Sequence, residues 1–308
     1  MIMNADSTLN SFLNSPYFSI KHTNYFDIYD KILCEFVGKK ITFVEIGVLE
    51  GGSLFMWRSF LGKEARIIGI DLNPEAIKWR KYGFEIYIGD QSSPQFWQDL
   101  FGEIGSIDVL LDDGGHRNDQ QIVTTESALP YILDGGFVIV EDTHTSFMKF
   151  ESFRRYNYVR FLQNKIASLY SRSDEVYLPK DFYTQFVYSI EFFTGICVLK
   201  IDRTLCEETH RIENSGVKDN ASDFRYENDG RFIGFLRAAY DWISWDYMTK
   251  ERVKKHRHIY GLMQLRAVKF ATRLVIIPLR FLIYLLLKIG NLIKLKKALN
   301  ELKFRKVS

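Results

Sequence analysis

The stretch ITFVEIGVLEGGSLFMWRSFL (41–61) decides the fold. Its opening run, 41–46, is β-branched or apolar apart from Glu45 and stops at Gly47. Gly51-Gly52-Ser53 then opens an apolar segment, Leu54–Leu61, at helical spacing. A strand, a glycine turn and a helix in that order form the first half of a βαβ unit. Downstream the alternation repeats. RIIGID (66–71) reads as a second strand, and Pro74 suits the first turn of a following helix. FEIYIGD (84–90) is a third strand, followed by a helix from Ser93 and Pro94 through Phe101. SIDVLLDD (106–113) is a fourth, with a helix over 118–132, and Gly135-Gly136 turns into a fifth, FVIVED (137–142). Strands that are nearly all apolar and alternate with helices predict a parallel sheet covered on both faces.

Upstream, residues 22–37 place Tyr25, Ile28, Tyr29, Ile32 and Leu33 at helical spacing, an amphipathic helix with its tyrosines on the packed face. After Phe147 the pattern changes to a helix over 149–170 and then to QFVYSIEF (185–192) and TGICVLKI (194–201), two close strands that predict an antiparallel hairpin at the sheet edge. The chain thus divides into a helical segment 1–38, an α/β domain 39–201 with a doubly wound, mostly parallel seven-stranded sheet, a polar linker 202–230, and a helical basic tail 231–308.

With 46% hydrophobic and 15% aromatic residues in 308, the chain can bury a large core, which excludes disorder as its main state. Cys34, Cys197 and Cys206 are widely spaced and lack CxxC pairing, so a disulfide framework and a zinc ribbon are excluded and a cytoplasmic location is expected. Cys34 and Cys197 read as buried thiols. The opening MIMNADSTLNSFLNS has neither a basic nor a long apolar region, so no secretory signal is expected.

In an open α/β sheet, ligands bind beyond the carboxyl ends of the strands. Every strand here ends in acids: Glu45, Asp71, Asp90, Asp112 with Asp113, and Glu141 with Asp142. Capping explains some of them, Asp90 first, but not the whole set. The first turn, Glu45 to Ser53, is ExGxxxGG. It is neither the GxGxxG of dinucleotide sites nor the GxxxxGK[ST] of a P-loop. Glycines let a ligand approach the backbone, and an acid ending the next strand can accept from ribose hydroxyls. Together these suit a nucleoside that carries an amino-acid group.

The segments NYFDIYDKI (24–32), VEIGVLEGGSLFMW (44–57), RIIGIDLNP (66–74), IGDQSSPQF (88–96), IDVLLDDGGH (107–116) and GGFVIVEDTHTSF (135–147) resemble class I S-adenosylmethionine-dependent methyltransferases. More narrowly, they are similar to bacterial sugar O-methyltransferases that act on rhamnosyl groups and macrolide deoxysugars, grouped with cephalosporin hydroxylase-like proteins. Gly115 stands where serine is common and Phe147 where tyrosine is common. The resemblance implies a Rossmann-like methyltransferase fold. It implies S-adenosylmethionine on Glu45, Gly47, Gly51, Gly52, Ser53, Asp71, Asp90, Gln91 and Asp112, a Mg²⁺ ion on Asp113, Glu141 and Asp142, and His116 as catalytic base. The chemistry agrees: a sugar hydroxyl is a weak acid, so a base and a hard cation on carboxylates would help it attack a methyl group. Two other readings stand beside this one. One is the hydroxylase-like branch; the other is an inactive, membrane-associated binding module.

The net charge of +3 hides an asymmetry. Residues 250–308 hold 16 Lys and Arg against two acids, while 1–249 hold 25 against 36. Within the tail, LVIIPLRFLIYLLLKIGNLI (274–293) is interrupted by Arg280 and Lys288, and Pro278 is expected to kink it. On a helical wheel Arg266, Lys269, Arg273, Arg280, Tyr284, Lys288 and Asn291 share an arc of roughly 100° on an otherwise apolar helix. Residues 262–306 are therefore expected to lie on the cytoplasmic face of a membrane or to pack on another subunit of a homo-oligomer. Nucleic acid is not the expected partner, because the bases line an apolar helix.

Overall fold

The computed structural model describes residues 7–148, 157–173, 176, 178–217, 232–236 and 277–303. The apolar runs form the expected strands: β1 Thr42–Ile46, β2 Arg66–Asp71, β3 Glu85–Ile88, β4 Ile107–Asp112, β5 Ile132–Val140, β6 Val187–Phe192 and β7 Cys197–Ile201. They make one sheet in the order β3-β2-β1-β4-β5-β7-β6. The first five are parallel, and β7 runs antiparallel to both β5 and β6, so the hairpin closes one edge. The register places Ile46 beside both Ile70 and Asp112, and Asp112 beside Val140, so the carboxyl ends of β1, β2, β4 and β5 finish at one level. Alternate residues of each central strand face opposite cores. Phe43, Val109, Leu111, Phe137 and Ile139 pack on one side against α2 (Tyr25–Leu33) and α3 (Gly52–Leu61). Val44, Ile68, Leu110, Val138 and Leu199 pack on the other against α4 (Pro94–Ile104) and α6 (Tyr158–Tyr170).

Several boundaries move for physical reasons. The helix expected over 22–37 is α2, preceded by a short α1 (Thr8–Leu13) and ending in a 3₁₀ turn, Cys34–Phe36, which leaves Cys34 exposed rather than buried. Residues Pro74–Tyr82 wind as 3₁₀, and α5 (Asn118–Ala128) ends where it does because Pro130 lacks the donor that would continue it. β5 begins at Ile132, earlier than its apolar run, and carries Gly135 at φ 86° with a register shift against β4. A one-turn helix α7 (Phe182–Phe186) leads into the hairpin, and residues 149–156 of the helix expected over 149–170 lie outside the described residues.

The chain forms two compact units, Met1–Glu213 and Asn214–Ser308. The N-terminal helices belong to the first. In the second, residues 232–236 and Ile277–Lys303 are helical, and residues 237–276, on the N-terminal side of the kink expected at Pro278, lie outside the described residues. Arg266, Lys269 and Arg273 lie outside the described residues. Among the described residues no helix is long and apolar enough to cross a membrane.

Candidate active site

The turns after β1, β4 and β5 meet at the carboxyl edge. Gly47 holds φ 91°, and a Cβ there would stand 2.1 Å from the carbonyl oxygen of Asp113. Only glycine permits this approach. Leu49, His116 and Asp142 also take left-handed backbone conformations, at φ 45°, 54° and 53°. Strain of this kind in non-glycine residues gathers at functional sites. His116 and Asp142 face one another, with Nε2 3.4 Å from Oδ2.

A cavity of about 540 Å³ opens below this point, a volume suited to a nucleotide-sized ligand. Gly47, Ser53, Asp71, Asp90 and Gln91 line it, together with Asp113, His116 and Asp142. Asp71 Oδ2 accepts the amides of Val48 and Leu49 at 2.9 and 3.1 Å, and Oδ1 accepts that of Asn73 at 2.8 Å. Of roughly four acceptor sites on a carboxylate, about one remains for a ligand hydroxyl. Asp71 therefore shapes the turn as well as facing the cavity. Asp90 holds its own turn through the amide and hydroxyl of Ser92. Gln91 bridges loops: its Nε2 donates to Asp112 Oδ1 at 2.9 Å and its Oε1 accepts the Gly115 amide at 2.9 Å.

Four residues expected on the ligand lie behind the wall. Glu45 is fully buried and accepts from Ser53 Oγ and Trp57 Nε1 at 2.7 and 2.9 Å. Gly51 makes room for the Trp79 ring, and Gly52 for the backbone of Tyr17 and Phe18. Asp112 is buried, and its Oδ2 has no hydrogen-bond partner among the described residues. Burial pushes the Glu45 carboxyl up to about 7 against the opposing pull of Lys21, Trp57 and Ser53. It pushes Asp112 up to about 6 against the donors on Gln91 and Gly114.

The acids expected to hold a metal separate into two layers. Oxygens of Asp113 and Asp142 and a nitrogen of His116 lie within 4.8 Å of one another, as do those of His22, Asp142 and His144. Glu141 is in neither group. It is buried, and both its oxygens accept from Lys21 Nζ, at 2.9 and 3.1 Å, while Tyr29 donates a further hydrogen bond to Oε1. Burial and then the charge of Asp113 raise the Glu141 carboxyl well above the usual range. Lys21 Nζ also contacts Asp113 Oδ2 at 2.6 Å. Burial works against this ammonium, but Asp113, Glu141 and Glu45 outweigh it and hold the charge firmly in place.

Asp142 Oδ1 accepts from Tyr25 at 2.6 Å. Tyr25 and Tyr29 thus use their hydroxyls at the site as well as packing their rings. The sequence pattern places Tyr25 and Tyr29 on a packed helix face without a role for their hydroxyls, and it does not mark Lys21 or His22. The signal lay in KHTNYFDIY (21–29), where two tyrosines one turn apart on a buried helix face each need a partner.

Residues 44–143 match a family model described as a methyltransferase domain. The structure is similar to the MycE methyltransferase from the mycinamycin biosynthetic pathway, solved with Mg, SAH and mycinamycin VI. The TM-score is 0.57 at 20% identity, covering 66% of this chain and 54% of that one. The fold is the Rossmann-like methyltransferase fold. Among curated proteins, this chain is 32% identical over 133 residues to the 8-demethyl-8-alpha-L-rhamnosyl tetracenomycin-C 2'-O-methyltransferase of Streptomyces olivaceus, covering 41% of this chain and 34% of that protein. It is 27% identical over 148 residues to the mycinamicin VI 2''-O-methyltransferase of Micromonospora griseorubida, covering 46% and 36%. The chain spans about a third of the length of these curated relatives.

Proposed function

We propose that this protein transfers a methyl group from S-adenosylmethionine to a sugar hydroxyl of a glycosylated metabolite, glycan or glycolipid. The observation that carries the reading is the His116–Asp142 pair, 3.4 Å apart at the rim of the cavity opened by the Gly47 turn. The cofactor would lie along Gly47–Leu49 with its ribose toward Asp71. The acceptor hydroxyl would enter beside His116. Asp142 orients the imidazole. As the hydroxyl oxygen bonds to the methyl carbon, the carbon–sulfur bond breaks, the sulfonium leaves as a neutral thioether, and the hydroxyl proton passes to His116 Nε2.

Asp113, Asp142 and His116 also fit a divalent cation such as Mg²⁺, because two carboxylates and an imidazole converge there within 4.8 Å. The carboxylates would hold the ion, which when bound would make a neighbouring hydroxyl easier to deprotonate. The names of the curated relatives, a 2'-O-methyltransferase of a rhamnosyl tetracenomycin and a 2''-O-methyltransferase of mycinamicin VI, support a saccharide acceptor. Mass spectrometry after incubation with S-adenosylmethionine and a panel of rhamnosides and deoxysugar glycosides tests the reading. A gain of one CH₂ on the sugar supports it. A gain of one oxygen would move the protein to the hydroxylase-like branch.

A further inference from the structure

Lys21 is the least expected charge in the molecule. Its side chain is only 1% exposed. Its ammonium has three donors and meets Asp113 Oδ2 at 2.6 Å and Glu141 Oε1 and Oε2 at 2.9 and 3.1 Å, with Glu45 Oε1 at 4.0 Å. Three carboxylates from the ends of β1, β4 and β5 thus share one cation carried by the chain itself. The segment that carries it is seated firmly. Ser15 Oγ donates to the Gly52 carbonyl at 2.8 Å, the Gly52 amide donates to the Phe18 carbonyl at 3.2 Å, and Phe18, Ser19 and Ile20 line the large cavity.

We propose that Lys21 is a built-in cation of the Glu45–Asp113–Glu141 cluster, and that it confines any divalent metal ion to the face formed by Asp113, Asp142 and His116. A protonated amine cannot ligate a metal. An ion seated between Asp113 and Glu141 would lie within a few ångströms of the ammonium, where like charges in a poorly screened interior exclude one another. Glu141, with both oxygens held by Lys21, is therefore withdrawn from the ligand set, and the carboxylates of Asp113 and Asp142 remain to hold the ion beside His116. Lys21 is in this sense a positioning residue. It fixes Asp113 and Glu141 and decides where a second cation can sit. The proposal rests on the metal-assisted reading above only in naming where the ion binds.

The experiment is Mn²⁺ binding by electron paramagnetic resonance on the full chain, as wild type, Lys21→Met and Lys21→Arg. Lys21→Met keeps the stem and deletes the charge. It is expected to bind Mn²⁺ at least tenfold more tightly than wild type and to gain more in melting temperature on Mn²⁺ addition, because the ion takes the vacated position. Lys21→Arg, which keeps the charge, is expected to show neither gain. Equal or weaker Mn²⁺ binding by Lys21→Met would overturn the proposal. A second measurement needs no variant: mass-spectrometric amine labelling of wild type should leave Lys21 unreactive with and without saturating Mn²⁺. Labelling of Lys21 that rises with Mn²⁺ would show that the ion displaces it, and would also overturn the proposal. Wild type that binds no Mn²⁺ beside a Lys21→Met variant that does would support the role of Lys21 and refute the metal-assisted part of the function.

Discussion

Replacing Gly47 by alanine tests whether the close approach of the β1 and β4 turns builds the site. Two costs can be worked out and separated. Gly47 sits at φ 91°, and a left-handed conformation costs a non-glycine residue about 1–2 kcal/mol. The added Cβ would also stand 2.1 Å from the Asp113 carbonyl oxygen and 2.8 Å from its carbon, a clash with backbone that no rotamer relieves. Overpacking of that kind costs roughly 1–3 kcal/mol, so Gly47→Ala should lose roughly 2–5 kcal/mol in all. Gly83 supplies the control. It has φ 84° and nothing within 4 Å of its virtual Cβ, so Gly83→Ala carries the strain without the clash. Urea unfolding of the two variants beside wild type reads the difference, expected at about 1–3 kcal/mol. Gly47→Ala should also lose affinity for S-adenosylhomocysteine, while Gly83→Ala keeps it. Two variants of equal stability within about 0.5 kcal/mol, both binding normally, would refute the tight turn-to-turn contact.

His116→Ala is expected to leave cofactor affinity unchanged and to lower turnover by roughly 10²–10⁴, the range for a general base, measured by methyl transfer and by calorimetry on the same preparation. Loss of cofactor binding instead would make His116 a structural residue. Glu45 and Asp112 hold protons up to about 7 and about 6 in the folded chain, against 4.5 and 3.8 ordinarily, so the folded state binds these protons more tightly than the unfolded state. Their contribution to stability is full below the ordinary carboxylate range and is lost as pH rises through 6 to 7. Metal-free protein should therefore lose on the order of 1–3 kcal/mol between pH 5 and pH 8, and Glu45→Gln should flatten that slope in denaturant titrations; an identical slope would assign it elsewhere. Residues 262–306 are proposed to bring the chain to an anionic membrane surface, so the full chain should float with anionic liposomes at low salt and release at high salt; a chain that never floats would refute this.

The sheet was legible because its strands are nearly pure apolar runs bounded by glycine or acid. RIIGID becomes β2 at Arg66–Asp71 without a shift. The lining roles of Gly47, Asp71, Asp90, Gln91 and His116 were legible for a related reason, since strand ends in such a sheet converge on one edge. Depth at that edge was not. Glu45 and Asp112 sit on strands where side chains alternate between faces, so they point into the cores beside the cavity rather than into it. Glu141 immediately precedes Asp142, yet the two carboxylates divide between Lys21 and His116 because Asp142 turns left-handed at φ 53°. Lys21 was invisible because its partners lie 92 and 120 residues away, and nothing in a local window marks a lysine as buried.

The proposed function requires that the cavity below the Gly47 turn take the methyl donor. Calorimetric titration of the wild type and Asp71→Ala with S-adenosylhomocysteine tests it most directly. One remaining acceptor on Asp71 is worth ~1.5–3 kcal/mol to a bound hydroxyl, and the same side chain holds the Val48 and Leu49 amides. Wild type is expected to bind one ligand per chain, and the variant to bind at least about tenfold more weakly. A wild type that gives no binding heat at any temperature tried, or a variant that binds as tightly as wild type, would contradict it.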